Sequence, residues 1–285
     1  MAARGARGRS LAGLHLLGKT RNIMSEHQYF SSHTADTFEC ERLSLLEQTA
    51  DPLSQRRLAA RGIEPGWRCL EVGAGHGSLV RWLAEQVGSQ GRVVATDINP
   101  HFLTELQLPN VEVRQHDIRT DPVEPGRYDL VHCRSVLMHM PDPQLVVGRM
   151  VAALRVGGWL VIEETDVSSI RAVDGTHPRA ESFNRQGREI LDRVAWKKLF
   201  DPYFGCRVRS LLENAGLTEI ENEGVSHIVQ GGETEARLGY LTLQVFVERG
   251  ILSPAEYAER QKVYSDPSFS FITGTRFAAW GKRVS

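Results

Sequence analysis

The most restrictive stretch of this chain is CLEVGAGHGS, residues 69–78. Gly73, Gly75 and Gly77 stand two apart, after an apolar run and before HGSLVRWLAEQVG, whose apolar residues recur at helical spacing. Glycine weakens strands and helices alike, because its backbone loses the most freedom on folding. Three of them at one junction mark a turn that needs left-handed backbone or lets a ligand approach the main chain. A strand, a glycine-rich turn and a helix start also aim backbone N–H groups at a bound group, as in nucleotide-cofactor sites. A strand–helix unit of this kind belongs to a parallel sheet, where a crossover returns the chain.

The neighbouring segments fit that requirement. RVVATD (92–97), VEVRQHD (111–117), YDLVHCRS (128–135) and WLVIEET (159–165) read as strands, with helices predicted for NPHFLTELQL (99–108) and PQLVVGRMVAAL (143–154). The expected fold class is α/β: a doubly wound, mostly parallel sheet with apolar strands buried on both faces. Residues 36–62 read as helical, interrupted near Asp51–Pro52. After Thr165 the pattern changes. Residues 171–205 and 233–265 read as helical, the latter split by Gly250, with a further helix at RVRSLLENAG (207–216). LTEIENEGVSHIVQ (217–230) and SFITGTRFAAWGKR (270–283) alternate like strands and are expected to add antiparallel to the same sheet. The helices between these strands are expected as lids over the carboxyl edge, where ligands of open α/β sheets bind.

Spacing narrows the ligand. The dinucleotide fingerprint is G-x-G-x-x-G around a pyrophosphate; here it is G-x-G-x-G, preceded by Glu71. An acid at that place repels a pyrophosphate and suits a cofactor with an ammonium or other cationic group. Asp97 ends the second strand. A carboxylate there can accept both hydroxyls of a ribose, or it can cap the NPHF helix. Asp117, in HDI, can accept an adenine amino group or serve as a turn acid. HCRSVLMHMPD (132–142) follows the fourth strand and faces the reactive end of a cofactor.

Composition excludes some partners. Lysine and arginine number 34 against 35 acids, for a formal charge of −1, and no basic stripe interleaves with aromatics, so nucleic acid is not expected. No apolar run reaches the length of a membrane span. Cys40, Cys69, Cys133 and Cys206 form no CxxC pair, so no metal site is expected and a reducing, cytoplasmic setting fits. The first 25 residues carry Arg4, Arg7, Arg9, Lys19 and Arg21 with no acid; they read as a basic, disordered or partner-docking extension, although a transit peptide also fits the composition.

Taken together, these motifs resemble class I S-adenosylmethionine-dependent methyltransferases of the bacterial small-molecule type. The matching residues are Glu71, Gly73, Gly75, Gly77, Asp97, Asp117 and the Cys133–His139 segment, within residues 60–165. The resemblance implies a Rossmann-like, seven-stranded sheet over residues 63–285, with helical cap insertions around 167–205 and 233–265 and an N-terminal helical lid over 26–62. It implies S-adenosylmethionine as cofactor and S-adenosylhomocysteine as product. Gly73, Gly75, Gly77 and Ser78 would line the methionine and ribose, and Asp97 would take the ribose hydroxyls. Asp117 would take the adenine amino group, with Ile118, Ile98 and Phe102 around the ring. Cys133, through its carbonyl, and Arg134 would stand at the methionine end, with Tyr29 and Arg42 as lid candidates.

Methyl transfer from a sulfonium is an in-line displacement with a neutral leaving group, so positioning and exclusion of water carry most of the work. A base is needed only where the acceptor must lose a proton. His139 after the fourth strand, Glu163, Glu164 and Asp166 after the fifth, and His177 and His227 beyond them are the candidates, with His139 and Glu164 put first; strand alternation sets Glu163 and Glu164 on opposite faces. Phe183, Trp196, Phe200, Tyr203 and Phe204 are candidates for an apolar acceptor pocket or for the cap's own core. The expected acceptor is a small, partly hydrophobic metabolite, methylated on O, N or C. Three other readings stay open: a methyltransferase-like cyclase or isomerase, a non-catalytic partner subunit, and a nicotinamide oxidoreductase. The N-terminal arm offers a route to a homo-oligomer.

Overall fold

The computed structural model describes residues 37–284; Tyr29 and the basic extension lie outside them. The five strands read between 68 and 166 all form: β1 (Arg68–Val72), β2 (Arg92–Asp97), β3 (Val111–Gln115), β4 (Tyr128–Arg134) and β5 (Leu154–Asp166). They run parallel in the order β3-β2-β1-β4-β5. The chain therefore leaves β1 in one direction and returns to its other side at β4. The carboxyl ends of β1 and β4 flank this switch point, where open α/β sheets place ligands.

The helix after the glycines is α2 (Ser78–Val87), which closes at Gly88, φ 62°. Its Leu79, Val80, Leu83, Ala84 and Val87 pack on β1 and β2 through Cys69, Val93 and Ala95. Full burial of each large side chain contributes about 1.5–3 kcal/mol, which anchors the helix start against the sheet. On the other side, α3 (Pro143–Ala153) is capped by Asp142, which accepts from Leu145 N at 3.0 Å.

The terminal strands differ from the sequence reading. Each is broken in two. β7 (Thr218–Val225) and β10 (Thr275–Lys282) complete the seven-stranded sheet, with β10 antiparallel between β5 and β7. β8 (Ile228–Gln230) and β9 (Ser270–Ile272) leave it and join β6 (Arg171–Ala172) in a second, three-stranded sheet. Gly274 sits at the bend, where a Cβ would stand 2.9 Å from Thr165 Cγ2. The same Cβ would crowd Asp166 O at 3.1 Å, so glycine fits best where the chain turns from one sheet into the other.

Two further expectations are corrected. Residues 99–108 make only a short 3₁₀ turn at Pro100–Leu103, with Leu103 and Leu106 buried against the glycine loop. Residues Thr37–Ala59 form one helix, α1, that continues through Pro52. Tertiary contacts hold it together: Asp51 and Ser54 bind Arg134, and Arg57 binds Glu163 and Glu223. The cap comprises α4 (Ala180–Trp196), α6 (Thr234–Glu248) and α7 (Pro254–Tyr264), whereas α5 (Val208–Asn214) packs on β7 and β10 of the seven-stranded sheet, beside α3. Phe183 and Phe200 are core residues of this part and Phe204 is buried where its turn packs on β5 and β10, whereas Trp196 is 85% exposed and Tyr203 lies on the surface.

Candidate cofactor and active site

The three glycines adopt the backbone that the sequence implied. Gly73, Gly75 and Gly77 have φ of 72°, 57° and 87°, a region that costs an L-residue about 1–2 kcal/mol. Their surroundings differ. A Cβ on Gly73 would strike Val136 Cγ2 at 2.4 Å, and one on Gly77 would strike Leu106 Cδ1 at 2.5 Å. Nothing lies within 4 Å of a Cβ on Gly75. Gly73 and Gly77 are therefore fixed by packing, while Gly75 faces open space at the strand tip.

Asp97 ties the loop to the end of β2. Its Oδ2 accepts from Gly75 N at 3.0 Å and its Oδ1 from Asn99 N at 2.9 Å. Burial pushes its pKa up, against the bonds to Asn99, Gly75 and Ile98. Gly73 N and Ala74 N both donate to Thr96 O, at 2.8 and 3.0 Å. Loop and acid thus form one rigid unit.

The ring-side candidates surround this unit. Ile98 is exposed, Ile118 is buried, and Phe102 packs edge-on to His76 with centroids 5.9 Å apart. Asp117 is gripped by Arg119 through Nε at 2.8 Å and Nη2 at 2.7 Å, and this bond holds its carboxyl below the usual range. Ser78 N donates to Glu47 Oε1 at 3.2 Å, so α1 reaches the start of α2. Cys133 is fully buried in β4 beside Val72, and burial raises its thiol well above the ordinary range, leaving the main chain as its polar surface.

Three side chains are committed elsewhere. Glu71 is engaged inside the sheet: its carboxylate lies 2.8 and 2.9 Å from His132 Nδ1, and both residues are buried. Arg134 binds Asp51 at 2.9 Å and Ser54 Oγ at 2.9 Å, which pins α1 to the tip of β4. Arg42 pairs with Glu39 through two bonds of 2.8 and 2.9 Å.

Both leading base candidates have partners within the fold. Glu164 Oε1 accepts from Val136 N at 2.9 Å and Leu137 N at 2.6 Å, and Oε2 from Met138 N at 3.4 Å. It caps the turn Leu137–His139 and shapes the loop against Gly73. Burial pushes its pKa up to about 7, although the three N–H bonds pull the other way. His139 packs edge-on against Phe200, centroids 5.7 Å apart; burial lowers it to about 4, so the ring is neutral near pH 7 and a weak base.

The sequence reading missed a buried polar chain beneath α1. Beyond Glu71, His132 Nε2 stands 3.4 Å from Glu163 Oε1, in ion-pair range but without a good hydrogen bond. Glu163 Oε2 accepts from Arg57 Nη1 at 2.6 Å and Ser54 Oγ at 3.0 Å. Burial opposes charge on both His132 and Glu163. Glu71 and Glu163 nevertheless raise His132 to about 9, and His132, Arg57 and Arg134 hold Glu163 at about 2. Glu71 and His132 are register partners on β1 and β4, as are Arg134 and Glu163 on β4 and β5. Among the described residues no cluster of His, Cys, Asp or Glu could hold a metal ion.

Residues 44–221, from α1 into β7, match the family described as a methyltransferase domain. The chain belongs to this family. The methyltransferase str3 of Strobilurus tenacellus is 28% identical over 191 residues, covering 66% of each chain. A ubiquinone biosynthesis O-methyltransferase of Xanthomonas campestris is 34% identical over 119 residues, covering 39% of this chain and 48% of its own. The chain spans about half to two thirds of the length of the curated relatives it matches. In fold, this methyltransferase domain is similar to a putative methyltransferase of Bacillus halodurans, with a TM-score of 0.53 at 19% identity, covering 81% of this chain and 98% of that one. Among its described residues no helix is long and apolar enough to cross a membrane.

Proposed function

We propose that the protein transfers a methyl group from S-adenosylmethionine to an O, N or C atom of a small, partly hydrophobic acceptor. The observation that carries this reading is the unit of Gly75 and Asp97: a left-handed glycine with open space before it, hydrogen-bonded to a carboxylate at the adjacent strand tip. An adenosyl sulfonium needs close main-chain approach and a carboxylate for vicinal hydroxyls, and these residues fit both.

Asp97 is assigned the ribose hydroxyls, and Gly73, Gly75 and Gly77 the methionine side. Asp117 and Ile118, with Ile98 and Phe102, are assigned the adenine. The carbonyl of Cys133 is assigned the ammonium. When bound, the cofactor supplies an electrophilic methyl on a good, neutral leaving group. The protein's share is to hold an acceptor in line with that carbon and keep water away. His139, neutral and packed on Phe200, suits acceptor orientation better than proton abstraction. Glu164 shapes the wall of the site through its three N–H bonds.

A cytoplasmic setting and a homo-oligomer built through the N-terminal arm belong to the same proposal. Incubation with methyl-labelled S-adenosylmethionine and a panel of small phenols, amines and enols tests it. Label in an acceptor, with equal release of S-adenosylhomocysteine, is expected. Binding of the cofactor with no S-adenosylhomocysteine from any acceptor would turn the reading toward a cyclase or isomerase.

A further inference from the structure

Helices α4 and α7 of the cap enclose a cleft of about 240 Å³, lined among others by Arg185, Glu189, Arg193, Glu256 and Arg260. Its charges do not balance. Arg193 Nη2 binds Glu256 Oε1 at 2.9 Å, and Arg185 Nε faces Glu189 Oε1 at 3.9 Å. Each acid thus has its own arginine, and Arg260 is left over. It is 3% exposed and forms no ion pair with a described residue. Its Nη1 donates to Phe183 O at 2.8 Å, and its plane lies over the rings of Phe183, at 4.2 Å, and Tyr264, at 5.6 Å.

That leaves one edge of the guanidinium. Nε is buried without a hydrogen-bond partner. Nη2 completes the same edge, toward Gly187 of α4, where an added Cβ would stand 4.0 Å away. The Nε–Nη2 edge is the two-pronged donor that matches a carboxylate or a phosphate. A buried cation with that edge unmatched is costly, because one neutral carbonyl and two ring faces do not replace its hydration.

We propose that this cleft binds a small oxyanion, gripped by the Nε–Nη2 edge of Arg260 and attracted by Arg185 at the rim. The bound anion would neutralise Arg260 and clamp α7 to α4. The site is separate from the glycine loop, so it stands or falls independently of the cofactor reading.

Calorimetric titration of the full chain with inorganic phosphate, and separately with acetate as a carboxylate probe, tests this against a chloride blank. Saturable binding of at least one anion is expected, and which one binds tells a phosphate-bearing ligand from a carboxylate. Arg260→Gln should weaken it by about tenfold or more, the scale of losing hydrogen bonds to a charged group. Gly187→Leu, which fills the space before Nη2 but keeps the guanidinium, should weaken it likewise and serves if Arg260→Gln does not fold. S-adenosylhomocysteine binding should be unchanged in Gly187→Leu. No saturable binding of either anion, or binding that Arg260→Gln and Gly187→Leu leave intact, would overturn the assignment.

Discussion

Glu71 on β1 and His132 on β4 face each other inside the sheet, with both carboxylate oxygens within 2.9 Å of the imidazole Nδ1. The pair links the strand that feeds the glycine loop to Glu163, and through Glu163 to Arg57 of α1. Replacing His132 by Gln leaves two buried carboxylates without their shared cation. Removing one partner of a buried ion pair costs about 3–5 kcal/mol, so urea unfolding of H132Q should show a loss of that size.

The same pair sets a pH dependence. His132 is raised to about 9 in the folded chain, above about 6.5 in the unfolded one. Its contribution is therefore fully present below about pH 6.5 and lost as pH rises through 9. Glu163 is held at about 2, so its contribution is present above about pH 4.5 and lost as pH falls toward 2. Wild-type stability should thus decline between pH 6.5 and 9, and H132Q should flatten that decline. An unchanged slope in H132Q would show that His132 is neutral when folded.

Gly75 and Gly73 separate ligand approach from packing. Gly75→Ala adds a methyl in open space, so stability should fall by only about 1–2 kcal/mol for the left-handed backbone, while cofactor affinity falls steeply. Gly73→Ala drives a Cβ into Val136 and should lower the melting temperature more. Thermal melts beside cofactor titrations of both variants check the contrast.

Glu164→Gln distinguishes a cap from a base. Gln keeps one acceptor oxygen but loses the charge that three N–H groups point at. Stability should drop by about 1–3 kcal/mol, with kcat lowered no more than the loop distortion requires. A complete loss of turnover with cofactor binding and stability intact would instead assign Glu164 as the base.

Ser135 joins β4 to that loop with φ 57°, and its N donates to Glu163 O at 2.8 Å. Relief of left-handed strain in a non-glycine residue contributes about 1–2 kcal/mol, offset in part by the greater freedom of glycine in the unfolded chain. Ser135→Gly should therefore be neutral or slightly stabilising by chemical denaturation, unlike most substitutions near a site.

What the sequence made legible was local. The glycine spacing and the apolar strands carry their own conformational demands, so the loop, Asp97 and the β–α alternation could be read directly. Pairings between distant residues were not legible. His132 finds Glu71 only after β1 and β4 become neighbours, and Arg57 finds Glu163 only once α1 lies on the sheet. Glu71 thus looked like a ligand for a cofactor when its partner lay 61 residues away. The helix expected at 99–108 shrank to a single 3₁₀ turn, and the alternation at 217–230 and 270–283 could not reveal that each run divides between two sheets.

Isothermal titration of the wild-type chain with S-adenosylhomocysteine, beside Gly75→Ala and Asp97→Ala, tests the central claim most directly. One saturable site per chain is expected for the wild type, with affinity lost in both variants while each remains folded. No binding by the folded wild type, or binding indifferent to Gly75 and Asp97, would contradict the assignment of this strand-tip site.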